Sequence, residues 1–250
     1  MALFKGLTNE GLEESQDRVG GFTPFEAGIY TGKIKMAYHG KSEQGAQFIQ
    51  LSVDIGGREY RETIYITNRK GENFFLNKQD NTKKVPLPGF TTIDDICLIA
   101  TGKPLAEQET EDKMVNIYDY DAKKEVPKSV PVLIELLGQE VSLGILNILE
   151  NKSEKQGNEY VPTADTRTVN TIDKVFHPEA QITVAEARAG REERKFWDDW
   201  EKANKGQVRD KREIKDGQAG AAARPTRAPG AAPAAGTASP QKSLFGKKKD

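Results

Sequence analysis

The sequence of 250 residues predicts a mainly β body with one inserted helix, then a C-terminal helix and a disordered tail. Three observations predict this. Short stretches alternate apolar and polar side chains and are divided by Gly-rich or polar turns, the pattern of half-buried strands. One segment around Ile93 repeats its apolar residues at helical spacing instead. From Gly217 to Gln241, 18 of 25 residues are Gly, Ala or Pro and no aliphatic is larger than Ala, so nothing there offsets the entropy of ordering.

The elements follow in order. A polar N-terminal arm (1–19) breaks at Gly20-Gly21, and three strands come next: Gly28 to Tyr38, Ala46 to Ile55 and Arg58 to Asn68. The Gly56-Gly57 pair fits a tight hairpin between the second and third. A helix then starts near Thr92, read as its cap, with Ile93, Ile96 and Ala100 on one face. The stretch KMVNIYDYDAKKEVPKSVPVLIELLGQEVSLGILNILENK, from Lys113, reads as a short extended segment followed by strands Val130 to Leu137 and Glu140 to Glu150, with a possible sixth over Arg167 to Val175, after the polar turn KSEKQGN. Three strands, a helix and two strands predict a five-stranded, partly open OB-like barrel over 20–178. A β-sandwich shares the same pattern, because sequence does not report closure. Residues 179–204 form the C-terminal helix, opened by Thr183-x-x-Glu186 and bearing Phe196, Trp197 and Trp200; Gly190 divides or weakens it. The tail is 205–250.

The net charge of −1 conceals an asymmetry: 11 Lys/Arg against 4 Asp/Glu from Lys205 onward, leaving 26 against 34 before it. A body near −8 therefore carries a tail near +7. Cys97 is the single cysteine and His39 and His177 the two histidines, too few for a disulfide framework or a structural zinc site. The N terminus lacks the pattern of a leader and no long apolar run occurs, so the expected setting is the cytoplasm, without a membrane. The pairs Asp94-Asp95 and Asp198-Asp199 are adjacent on helices and diverge, and no base accompanies Cys97. No catalytic or metal site, and no cofactor, is expected.

Alternation assigns the strand faces. In the second strand Ile49, Leu51, Val53 and Ile55 face inward; in the first, Tyr30, Ile34 and Met36 do. The outward face then carries Lys33, Lys35, Phe48, Arg61 and Tyr65, while Tyr60 falls on the core side. Cations neutralise phosphates and exposed rings stack on unpaired bases, so this mixture predicts sequence-tolerant binding of single strands. The bland reading is a ring covered by a loop among ordinary solvated lysines. Lys78, Lys83 and Lys84 lie in the loop after the third strand and flank a groove on the functional reading; Phe74, Phe75 and Phe90 there read as core. At the far end, Leu244 and Phe245 followed by Lys247, Lys248 and Lys249 make a docking tip on a flexible tether, or a solubilising end.

The segments LFKGL, YITNRKGENFF, VPLPGF leading into ICLIATGK, and SLFGKKK resemble the single-stranded DNA-binding proteins of Schitoviridae-type podophages, over residues 1 to about 176 and the tail tip. The resemblance implies an OB-fold protein that coats single-stranded DNA in phage replication and recombination and recruits partners through its C-terminal region. It assigns stacking to Tyr65, with Asn68, Arg69 and Lys70 beside it. Bacterial counterparts end in an acidic tip; this chain ends in KKKD, which implies a different partner such as a polymerase, in the cytoplasm of a host cell. Two alternatives stay open: an RNA-binding OB protein, since nothing in the sequence reports on a 2′-hydroxyl, and an adaptor acting through its tip, which the acidic body favours.

Overall fold

A computed structural model describes residues 23–119, 122–156 and 159–214. The N-terminal arm and the docking tip at Leu244, Phe245, Lys247, Lys248 and Lys249 lie outside the described residues, as does the tail from residue 215.

The protein is mainly β. A meander of β1 (Gly28–Lys41), β2 (Gln47–Ile55) and β3 (Arg58–Tyr65) comes first. The β2–β3 turn is tight because Gly56 and Gly57 both take positive φ, 59° and 84°, as its handedness requires. A small separate hairpin, β4 (Phe74–Leu76) with β5 (Lys84–Pro86), precedes helix α1 (Pro88–Thr101). The hairpin β6 (Thr110–Asp119) and β7 (Lys124–Leu133) follows, then the long pair β8 (Glu140–Gln156) and β9 (Glu159–Phe176). Helices α2 (Val184–Arg188) and α3 (Lys195–Asn204) and strand β10 (Val208–Asp210) end the described body.

Among the described residues one sheet has eight strands, with β10-β8-β1-β2-β3 as its path, β9 on β8, and β7 joining β6 to β1. Its inner face buries Ile34, Ile49, Leu51, Val53, Tyr60, Ile64, Leu143, Ile145 and Val175 against the apolar face of α1, Ile93, Ile96 and Cys97. The second strand's inward set and Tyr60 are therefore core, as alternation predicts. The ladder does not close. Between β3 and β9 the Glu62 carboxylate accepts from the Thr171 hydroxyl (2.7 Å), the Ile172 N–H (2.9 Å) and the Tyr60 hydroxyl (2.6 Å). A side chain does there what backbone pairing does elsewhere.

Several boundaries differ from the sequence reading. The segment read as merely extended is the hairpin β6–β7: its strands alternate, but Pro127, Pro131 and half-burial dilute the signal. The strand over Val130 to Leu137 ends at Leu133 and turns through Ile134–Leu136. KSEKQGN is no short turn after β8, since β8 itself runs through it to Gln156 and pairs there with Glu159, where β9 begins. The sheet therefore has eight strands where five and a sixth over Arg167 to Val175 are expected from sequence: the sixth lies within β9, and β6 and β10 are additional. Helix α1 begins at Pro88, whose fixed φ and missing N–H suit a first turn, and Thr92 instead donates to the Pro88 carbonyl. The helix of 179–204 is two pieces, α2 and α3, divided at Gly190 (φ 68°), and Thr183 and Glu186 do form the capping box. Residues 205–214, read as the start of the tail, belong to the described body. Strand β10 pairs in parallel with β8, and Asn151 holds the chain beyond it through the Glu213 and Ile214 N–H groups (2.7 and 2.9 Å).

Candidate nucleic-acid interface

The outward face of the meander is one wall of a groove. Strand β7 pairs with β1 only at Tyr38–Val132, so the β6–β7 hairpin parts from the sheet there and stands opposite that face. The groove between them has a volume of about 600 Å³. Lys35, Tyr38, Phe48, Gln50 and Arg61 line the meander wall; Val115, Ile117, Tyr118 and Glu125 line the other.

Phe48 and Tyr65 are directly opposed across β2 and β3, with ring centroids 5.7 Å apart in an edge-to-face arrangement. Phe48 lies over the backbone of Gly40, its cross-strand partner on β1, where an added Cβ would sit 2.3 Å from the ring. Glycine at 40 thus seats the ring flat on the sheet. Tyr65 extends the aromatic surface beyond the groove and is 49% exposed. An edge-to-face pair fixed by strand register keeps one half-exposed ring face for stacking at little further entropic cost.

The cations are less available than composition suggests. Arg61 Nη2 lies 2.7 Å from Glu59 Oε2, and this hydrogen bond raises the guanidinium pKa further. The same bond, with one from the Ser52 hydroxyl, holds the Glu59 carboxyl below the usual carboxylate range. Lys35 faces Asp54 at 3.4 Å. Burial pushes the Tyr38 hydroxyl up, against a smaller opposing pull from Arg61. Gln50 accepts from the Thr63 hydroxyl at 2.5 Å, an ordering contact along the groove floor.

Of the residues singled out in the sequence, Lys35, Phe48 and Arg61 come together in the groove and Tyr65 adjoins it. Lys33 does not line it and pairs with Glu140 at 3.6 Å. Arg69 and Lys70 are exposed at the Tyr65 end of the strands. Asn68 builds that loop rather than offering its side chain: its Oδ1 accepts from the Lys70 and Glu72 N–H groups at 2.9 and 3.0 Å. Lys78, Lys83 and Lys84 belong to the β4–β5 hairpin and its turn, away from the groove walls; Lys83 pairs with Asp80 (3.3 Å) and Lys84 sits 4.3 Å over the Phe74 ring. Phe75, read as core, is exposed, while Phe74 is half-buried and Phe90 packs against the core.

Sequence reasoning missed Tyr38, Tyr118 and Glu125. A bulge between Ile34 and Met36 inserts Lys35 as an extra residue, so alternation reverses there. Met36, assigned to the core, lines the groove instead, and Tyr38 follows it outward. Tyr118 and Glu125 are a cross-strand pair in the β6–β7 hairpin, whose meeting with the meander is a long-range contact that no local pattern encodes. The spacing in NIYDYD was the available signal for Tyr118.

Burial raises the Cys97 thiol well above its ordinary range. His177 Nδ1 accepts from the Glu179 and Ala180 N–H groups at 3.2 and 3.1 Å, forming a turn. Among the described residues, no group of three His, Cys, Asp or Glu side chains could hold a metal ion, and no helix is long and apolar enough to cross a membrane. The chain matches no protein-family model, and no curated protein matches it in sequence.

Proposed function

We propose that this is a non-enzymatic, sequence-tolerant single-stranded DNA-binding protein that holds the strand along the groove and the aromatic surface beside it. The observation that carries this reading is the Phe48–Tyr65 pair, held half-exposed at the end of a groove that also presents Arg61 and Tyr118. Rings on a rigid sheet stack on any base, and a duplex hides its base faces. The strand order β3-β2-β1-β8-β9, with α1 between the third and fourth of these in sequence, supports an OB-like reading in which β6–β7 is an inserted arm and Glu62 stands at the closing seam. A role in phage replication and recombination, with the C-terminal tip recruiting a polymerase, rests on the sequence resemblance and belongs to the same proposal.

The adaptor alternative draws support from the ion pairs that occupy Lys33, Lys35 and Arg61. Fluorescence anisotropy of labelled oligo(dT) separates the two. The binding reading expects wild type to bind, to ignore duplex competitor and to weaken with salt, and Tyr65→Ala to lose at least about 1 kcal/mol on the stacking scale of roughly 1–3. No binding by wild type selects the adaptor. A matched RNA oligomer that competes better than DNA selects the RNA-binding alternative.

A further inference from the structure

The groove's charges are balanced from within. Arg61 is held by Glu59, which stands two residues back on the same outward face of β3. The carboxylate is itself fixed: its second oxygen accepts from the hydroxyl of Ser52, which is only 6% exposed. Glu125 adds negative charge near Arg61 from the β6–β7 side. The remaining groove cation, Lys35, has Asp54. A guanidinium already bound to a carboxylate makes the same charge-assisted contact that a phosphate would make, so phosphate and carboxylate compete for one fork of donors.

Resting on the binding reading above, we propose that Glu59 is a built-in surrogate for nucleic-acid phosphate. It occupies Arg61, competes with the backbone of a bound strand, and sets the affinity and salt dependence of the site. Bases then enter against Phe48 and Tyr65, while phosphate contact at Arg61 is withheld in proportion to the strength of the Glu59 pair.

The test is oligo(dT) binding by the full chain across a salt series, with Glu59→Gln, Arg61→Ala and the double variant. Glutamine keeps an acceptor for Ser52 but surrenders the charge. Glu59→Gln is expected to bind three- to tenfold tighter at low salt, with log K falling more steeply with log salt by about 0.7, the increment for one added phosphate contact on a single strand. Arg61→Ala is expected to weaken binding, since it removes a groove cation and leaves the Glu59 charge unopposed, and to erase the gain in the Glu59→Gln background. Glu59→Ala, a second variant, moves in the same direction as Glu59→Gln. Weaker or unchanged binding by Glu59→Gln, with native circular dichroism, overturns the proposal, because Glu59 would then orient Arg61 for the ligand or be irrelevant to it. Wild type that binds, with a Glu59→Gln ratio at or below one, sinks this inference alone; wild type that fails to bind sinks the functional reading as well.

Discussion

Glu59 and Glu62 stand three residues apart on one strand and do opposite work. Glu62 points inward and gathers three donors, two of them from β9, so that it joins strands no ladder joins. Glu59 points outward, shares its oxygens between Arg61 and Ser52, and touches only its own face of the meander. Pleating alone decides which is which. On the inner face a carboxylate builds the fold, because unsatisfied donors around it are costly; on the outer face it tunes a cation at little cost to stability.

The largest expected effect breaks this comparison directly. Glu62→Ala strips the acceptor from the Ile172 N–H and from two hydroxyls in part-buried positions, and should cost about 3 kcal/mol, since each charge-assisted bond is worth roughly 1.5–3 and the losses overlap. Glu59→Ala should cost under about 0.5 kcal/mol. Urea midpoints of the two variants give both numbers. Equal losses would mean that the outward carboxylate also carries the fold, and the division by face would be lost.

How far sequence could reach follows from the same strand. Alternation placed Ile49, Leu51, Val53, Ile55 and Tyr60 in the core because burial of one sheet face is a local, period-two constraint. Sharing the parity of Tyr60, Glu62 falls on that face too, but the reason for a carboxylate there lies in Thr171 and Ile172, on a strand distant in sequence. Strict alternation failed at Lys35, where one inserted residue moved Met36 and Tyr38 outward. Charge counting failed for a different reason: it registers Lys33, Lys35 and Arg61 as cations and leaves out Glu140, Asp54 and Glu59 beside them. Half of the groove wall comes from β6–β7, so the site as an enclosed groove was not legible, although its aromatic pair was.

Asp95 sharpens the comparison with a carboxylate that is half-buried and poorly matched. It lies on α1, and burial, with Asp94 adjacent, raises its pKa from 3.8 to about 6 against weaker opposing pulls from Arg188 and Lys174. A pKa raised on folding means the native state favours the protonated form. The contribution of Asp95 to stability is therefore greatest below about pH 4, falls as pH rises from there to about 6, and is flat beyond. Asp95→Asn should abolish that fall, leaving the variant about 1–2 kcal/mol more stable than wild type at pH 7.5, a figure discounted for partial solvation from the roughly 1.4 kcal/mol per pKa unit. Urea titrations at pH 4.5 and 7.5 test this, and a gain independent of pH would assign the effect to packing instead.

The smallest effect concerns two lysines that alternation makes equivalent. Lys33 and Lys35 share the outward parity of β1, but Lys33 pairs with Glu140, both side chains more than half exposed, and stands off the groove, whereas Lys35 is the bulged residue and lines it. An exposed pair at 3.6 Å contributes little, because water screens the charges and two long side chains must be ordered to meet. Lys33→Ala should change stability by under about 0.5 kcal/mol and oligo(dT) affinity by less than twofold. Lys35→Ala removes a cation from the groove wall and should weaken binding severalfold, with a shallower salt slope. If both variants weaken binding alike, the strand's path runs over the open meander face rather than along the groove, and the β6–β7 arm has no part in holding it.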